Sequence, residues 1–466
     1  MKKITGFNFI VIFAFIALII LVNNRTVLGQ DKIPAYNLYN EEKDFLDTLQ
    51  YKSFLYFINE INPENGLVKD RSTDTSPSSI AAVGFAYPIW AIGVEKGWIS
   101  RDRAVDLTLK SLQFFFDSEQ SKNKFATGYN GFYYHFLDMQ TGRRFWNCEL
   151  SSIDSGLLFC GIIFARQYYN NDDEPEKRIR ELADKILGRA DWSFWQLPDS
   201  GRFANQISMG WNEMGLLPTG WFGYTEALFL YVIAAGSNYK DYRSAYDSWL
   251  NTYKWREPYK KEYGHVVFPP MFGHQYSFLF IDPSGLVDKY MSSKGIDYFE
   301  NSRRATYVNR EYSIINPLNW VGYDSLTWGL SACDGPGSKY NFDNRIFYDY
   351  AARGTSGLDS TELDDGTITP TATGGSIPFA PEIAIPSLMN MYKKYGGQGL
   401  WGRYGLFDSF NPTLNWFNKD YIGIDQGPIV IMIENFLNGF VWRYFMKDKI
   451  VIDGLMKLGF QYQVHK

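Results

Sequence analysis

The chain has 466 residues, of which 45% are hydrophobic, 18% aromatic and only 21% charged, with a formal net charge of −5. That balance specifies a folded protein with a large core. With no long Lys/Arg run it offers phosphate backbones and anionic lipid heads no electrostatic footprint, so no nucleic-acid partner is expected.

Basic Met1-Lys2-Lys3 precedes an unbroken apolar stretch of 14 residues from Phe9 to Val22, then Asn23-Asn24-Arg25 and a stretch ending in Gly29-Gln30. This pattern predicts a signal peptide over residues 1–29 and one mature domain over 30–466. The stretch is shorter than the roughly 20 residues that span a bilayer, so no stable membrane insertion is expected once the signal is removed. Cys148 is the first cysteine, so no lipid-bearing cysteine sits at the cleavage region. The expected location is periplasmic or secreted.

Helical apolar spacing begins at Glu42 to Ile61, and recurs near Ser79 to Lys96, Arg101 to Ser118, Ser151 to Tyr169, Pro175 to Trp195, Thr219 to Ala235 and Asp241 to Tyr253. It continues near Pro270 to Ile281, Ile296 to Glu311, Pro378 to Tyr395 and Gln426 to Phe445, with almost no alternating strand pattern. Segments such as Gly161-Ile162-Ile163-Phe164-Ala165 and Ile429 to Ile433 are apolar all round and predict an inner layer packed on both sides. Glu176 to Arg189 alternates Ile179, Leu182, Ile186 and Leu187 with charges, as an outer helix with one wet face does. Together these predict an all-α toroid of paired helices, an (α/α)6 barrel, with an irregular all-α solenoid as the rival. Long Gly-, Asp-, Asn- and aromatic-rich loops at Asn123 to Trp146, Leu197 to Met214, Asp334 to Tyr348 and Gly354 to Ile377 are the expected rim of a cleft.

Three acids sit where packing alone does not call for them: Asp154 at the start of an apolar helix, Glu226 in a predicted mid-helix position among Phe, Leu, Tyr and Ala, and Asp425 in Ile424-Asp425-Gln426-Gly427. For Asp154 and Asp425 the alternative is helix N-capping. A mid-helix Glu226 would cost several kcal/mol to bury without a polar cavity or partner. Such a trio suits general acid and base work on a glycosidic bond. Glu149, Glu213, Asp334, Glu382 and Glu434 compete, Glu382 with the alternative of a first-turn residue favoured by the helix dipole. The 14 Trp, 33 Tyr and 36 Phe point weakly to carbohydrate, whose rings stack on aromatic faces. Trp211, Trp221, Trp328 and Trp401 are candidate platforms, with core packing the expected fate of most. His274 and Arg304 are candidate donors to hydroxyls, against a satisfied structural imidazole for His274. The three cysteines and four histidines show no metal-ligand spacing, and no phosphate loop or GxSxG elbow is present, so neither metal nor cofactor is expected. Cys148 and Cys160 would lie about 18 Å apart on one helix, too far for a disulfide.

The blocks Trp328 to Pro336, Asp365 to Ala372 with Pro378 to Glu382, Tyr404-Gly405-Leu406, Ile424 to Gly427 and Ile433-Glu434-Asn435 resemble, in this order, the glycoamylase-like domain of glycoside hydrolase family 144. Ser155-Gly156 and Cys333 depart from that pattern, and a stretch around Arg353 to Leu363 is additional. The resemblance implies an (α/α)6 barrel that cleaves β-1,2-glucan without a metal and with inversion, either endo-acting or exo-acting with release of sophorose. It places the important acids at Asp154, Glu226 and Asp425. Apolar surroundings should keep Glu226 protonated as the acid, while a helix N-terminus should keep Asp154 ionised as base or sugar-orienting group, a role that Asp425 could exchange with it. Inversion requires about 6.5 to 9.5 Å between the two carboxyls. The alternatives are hydrolysis of another glucan on the same barrel, or glycan binding without catalysis.

Overall fold

The computed structural model describes residues 36–357 and 362–463. The predicted signal peptide and His465 lie outside them. Among the described residues are α1 (Asn40–Asn59), α2 (Ile80–Glu95), α3 (Arg101–Asp117), α4 (Ser152–Tyr168), α5 (Glu174–Arg189), α6 (Leu228–Gly236) and α7 (Tyr242–Leu250). There follow α8 (Lys289–Lys294), α9 (Tyr298–Ile315), α10 (Pro370–Gly374), α11 (Pro381–Tyr395), α12 (Gly423–Asn438), α13 (Phe440–Phe445) and α14 (Lys449–Leu458).

Burial sorts these into two rings. Almost every side chain of α2, α4, α6 and α12 is buried, as their unbroken apolar sequences require. By contrast α5 buries Ile179, Leu182, Ala183, Ile186 and Leu187 on one face, with Glu176. The result is six outer–inner pairs in chain order: α1 with α2, α3 with α4, α5 with α6, α7 with the segment 271–279, α9 with α10, and α11 with α12. This is the (α/α)6 barrel expected from the sequence.

Two inner positions differ from that expectation. The segment predicted as a helix over Pro270 to Ile281 is a pair of 3-10 turns, Met271–His274 and Tyr276–Leu279. Gly273 within it disfavours helix, and the chain turns between the two short pieces at Gln275 (φ −120°, ψ −47°) instead of continuing as one ladder. The sixth segment in sequence, predicted over Thr219 to Ala235, becomes helical only at Leu228, because Gly223 has a φ of 75° and turns the chain before it.

Glycine contacts fix the direction of the inner helices. A Cβ on Gly84 would lie 2.4 Å from the Leu157 carbonyl oxygen, and one on Gly161 would lie 2.0 Å from the Gly84 oxygen and 2.8 Å from Tyr87. Likewise Gly423 abuts Ala82 and Gly427 abuts Phe85. Residue numbers rise together in both cases, so α2, α4 and α12 run parallel, in backbone contact that a side chain would forbid. Gly156 meets Phe229 and Leu230, which sets the first turns of α4 and α6 side by side.

The loops that feed these first turns are laced to one another by two- and three-residue strands. Ser78–Ser79 pairs with Phe136–Leu137, and Leu150–Ser151 pairs with Gly210–Asn212. Isolated bridges join Arg71 to Ile422 and Ile368 to Phe410. One end of the barrel therefore carries both the inner-helix N-termini and an interlocked rim of loops. No described helix is long and apolar enough to cross a membrane.

Candidate active site

All three predicted acids stand at this end. Asp154 is the third residue of α4, whose N-cap is Ser151 and not Asp154 itself. Ser151 Oγ accepts from the Asp154 amide at 3.1 Å and donates to Asp154 Oδ2 at 2.6 Å. Asp425 holds the same third position in α12, again without being the cap. Glu226 is not mid-helix: it lies in the turn just before α6, where Ser277 Oγ donates to the Glu226 carbonyl at 2.6 Å and accepts from the Phe229 amide in the first turn of α6 at 3.1 Å. Glu226 remains buried in this turn, so the cost foreseen for a buried carboxylate is met by its keeping a proton.

Burial raises the Glu226 carboxyl to about 7, with Asp154's charge adding to it and a backbone donor opposing it. This agrees with the expectation that Glu226 is held protonated near neutrality. Asp154 is pulled both ways. Burial lifts its carboxyl above the ordinary range, although His135, the Ser151 hydroxyl and the helix amide all favour its charge.

His135 is a member of the site that sequence spacing did not reveal. Its Nε2 is 3.5 Å from Asp154 Oδ1 and its Nδ1 is 3.0 Å from Glu149 Oε1. Burial would lower the imidazole, but the two carboxylates outweigh it and raise it to about 9. At neutral pH His135 is therefore a cation bridging two acids. The ligand atoms of His135, Glu149 and Asp154 all lie within 4.8 Å of one another, an arrangement a metal ion could use and that residues 14 and 5 apart in sequence do not advertise. The imidazolium already pairs both carboxylates, which accounts for the cluster without an ion.

Asp425 has a different neighbour. Burial first, and then Asp408, with which it shares a side-chain hydrogen bond, push its carboxyl well above the ordinary range. Two carboxyls can share that bond only if one carries a proton. Asp408 Oδ2 already accepts from the Asp334 amide at 2.9 Å, Ser409 Oγ at 3.1 Å and Asn418 Nδ2 at 3.2 Å, so Asp408 is the better anion and Asp425 keeps the proton. Asp408 itself is raised to about 6. The expectation that Asp425 stays ionised like Asp154 fails for this reason: the helix N-terminus is outweighed by burial beside a second acid.

Asp334 joins this side of the site, with Arg71 Nη1 at 3.0 Å and Asn418 Nδ2 at 3.2 Å from its Oδ2. Arg71 also reaches Asp70 at 3.4 Å. Tyr276 stands between the sides: its hydroxyl donates to the Ile424 carbonyl at 2.9 Å, and the charges of Asp425 and Glu226 add to burial in raising it. Asp408, Asp70, Arg71 and Tyr276 carried no individual signal in the sequence.

The remaining candidates are spread more widely. Trp221 Nε1 donates to Ser152 Oγ at 3.2 Å, beside Asp154, and Trp211 packs on Tyr129 and Phe194, with ring centroids 5.1 and 6.2 Å away. Trp328 is fully buried and donates to Ser387 Oγ at 2.8 Å, so no ring face is left for a sugar. Trp401 packs on Tyr392 of α11. His274 is a satisfied structural imidazole: it is fully buried, with Phe268 O at 3.2 Å and Asn301 Nδ2 at 3.4 Å, and burial holds it neutral. Arg304 is tied to Glu300 at 2.7 Å and the Gly264 carbonyl at 2.9 Å, and Glu382 to Arg303 and Tyr307, all on or against outer helix α9. Of the competing acids, Glu213 pairs with Arg144, and Glu434 lies about two and a half turns along α12 from Asp425, paired with Gln50 and Lys96.

A barrel of six helix pairs that gathers buried carboxyls at the N-termini of its inner ring has the build of an (α/α)6 glycoside hydrolase. The family model "Glycoamylase: Putative glucoamylase" matches residues 218–449. A protein of Bacteroides uniformis ATCC 8492, described as a putative glucoamylase, is 30% identical, with 91% of this chain and 99% of that chain aligned at a TM-score of 0.77. The endo-β-1,2-glucanase of Chitinophaga pinensis, solved with sophorotriose and glucose, is 26% identical over 91% of this chain and 99% of its own, at a TM-score of 0.75. The exo β-1,2-glucooligosaccharide sophorohydrolase (non-reducing end) of Parabacteroides distasonis is 27% identical over 90% of this chain, which spans 58% of that protein's length. The chain belongs to the glycoamylase-like family, glycoside hydrolase family 144.

Proposed function

We propose that this protein hydrolyses β-1,2-linked glucan with inversion at the anomeric carbon. The observation that carries the reading is Glu226, a buried carboxyl raised to about 7 beside the carboxyl of Asp154. In this reading Glu226 gives its proton to the glycosidic oxygen as the C1–O bond breaks. Water adds to C1 from the opposite face, and its proton passes to Asp154. Asp425, whose one proton is engaged on Asp408, can accept from a sugar hydroxyl through its other carboxyl oxygen instead of serving as base. The β-1,2-glucan specificity is supported by the names of the Chitinophaga and Parabacteroides relatives.

Incubation with linear β-1,2-glucan should release new reducing ends, with the α-anomer appearing first by proton NMR. A β-anomer first, or cleavage of a different glucan in a polysaccharide panel with none of this one, overturns the reading. Met1-Lys2-Lys3 followed by the apolar stretch Phe9 to Val22 supports the further proposal that the enzyme is exported to act on glucan outside the cytoplasm.

A further inference from the structure

We propose that Trp146 is a glucosyl-stacking platform at the rim of the site, a role that rests on the glucan reading above. Three independent observations converge on this residue. Trp146 is 63% exposed, the one tryptophan among the described residues with a broadly accessible ring. Its open ring face is the kind of surface on which a pyranose can stack.

The second observation is backbone strain. Nine described non-glycine residues have positive φ, and seven of them are Asn or Asp, which tolerate that region. Trp146, at a φ of 54°, is one of the two exceptions. A bulky side chain is strained there, and such strain concentrates at functional sites.

The third is position. His135, which pairs with Asp154, stacks on Phe136 with ring centroids 3.9 Å apart and planes 12° from parallel. Phe136 in turn meets Trp146 edge-on at 5.2 Å. A short ladder of rings thus runs from the acid through His135 and Phe136 to the exposed indole. The occupant is a neutral pyranose: a hexose presents an apolar C–H face that matches an indole.

The test compares Trp146→Gly, Trp146→Ala and Trp146→Phe with the wild type. Trp146→Gly relieves the positive φ and deletes the ring. It should hold or raise the melting temperature while KM for β-1,2-glucan rises roughly three- to tenfold at unchanged kcat. Trp146→Ala should give the same KM rise, and Trp146→Phe should recover most of it. Wild-type KM in Trp146→Gly overturns the proposal, as does a melting temperature that falls in all three variants with no change in KM. Calorimetric titration of β-1,2-glucooligosaccharides separates this proposal from the catalytic one. Binding without hydrolysis fails only the catalytic reading, and the affinity loss in Trp146→Gly still decides the platform. Absence of binding by the wild type overturns both.

Discussion

The two acidic halves of the site start from the same local structure and end in opposite electrostatic states. Asp154 and Asp425 are each the third residue of a parallel inner helix, each buried, each facing the same helix-end amides. Asp154 is met by His135, a cation, and Asp425 is met by Asp408, another acid. Helix position therefore sets where a carboxyl stands, while the residue across the site sets what it can do. The first half can hold charge and take a proton, whereas the second already shares a proton between two carboxyls and has no place for another. Glu226 lies between these states, near 7, because burial acts on it with neither a bridging cation nor a shared proton to counter or reinforce it.

The largest break should come from Glu226→Gln, which keeps shape but removes the transferable proton. Its kcat should fall by about 10² to 10⁴ at pH 6. In the wild type, activity should decline as pH rises through about 7, as the acid loses its proton. Stability gives a second readout. Because the folded carboxyl at about 7 lies above the ordinary 4.5, stability is fully present below 4.5 and is lost as pH rises through 7. Glu226→Gln should thus gain up to about 3 kcal/mol relative to wild type by pH 8, measured by urea melts. Near wild-type turnover in this variant removes Glu226 from the acid role.

His135→Gln tests the first half directly. It leaves Asp154 and Glu149 buried together without a cation, and kcat/KM should drop by about 10- to 100-fold near neutral pH. The imidazole, raised from 6.5 to about 9, contributes stability below 6.5 that is lost as pH rises through 9. The variant should therefore be less stable than wild type at pH 6 and converge with it above pH 9. Equal stability at pH 6 would show that the bridge contributes nothing.

Much of the fold was legible because it rests on burial: an inner helix packed on all sides must be apolar all round, as Ile162 to Phe164 and Ile429 to Ile433 are. The acids were legible for the complementary reason, a carboxyl where an apolar residue would otherwise stand. The exact setting of Glu226 was not, because Gly223 and the Ser277 cap decide where α6 begins, and Ser277 lies in the next pair. The partners were equally hidden. His135 and Asp408 reach Asp154 and Asp425 from loops paired across the rim, and no local spacing encodes such a meeting. Trp328 failed as a platform because an aromatic residue in a glycine-rich block reads alike whether its ring faces sugar or Ser387.

Asp408→Asn should have the smallest effect and sharpens the comparison most, since it converts the second half toward the first. The amide can donate to Asp425, which then no longer needs a proton for that hydrogen bond and ionises at lower pH. Against this, the amide nitrogen or oxygen must replace an anion that accepts from the Asp334 amide, Ser409 and Asn418. Relief of like-charge repulsion and loss of charge-assisted hydrogen bonds oppose each other, so net stability at pH 7 should change by no more than about 1 kcal/mol. The pH dependence should change more clearly. Asp408 is raised from 3.8 to about 6, so in the wild type it contributes stability below 3.8 that is lost as pH rises through 6. Melting temperatures from pH 4 to 7 should show a flatter decline in Asp408→Asn than in wild type, with kcat within about threefold and the KM for glucan altered more than kcat. An unchanged slope would mean that Asp408 and Asp425 share no proton, and the contrast between the two halves would then rest on His135 alone.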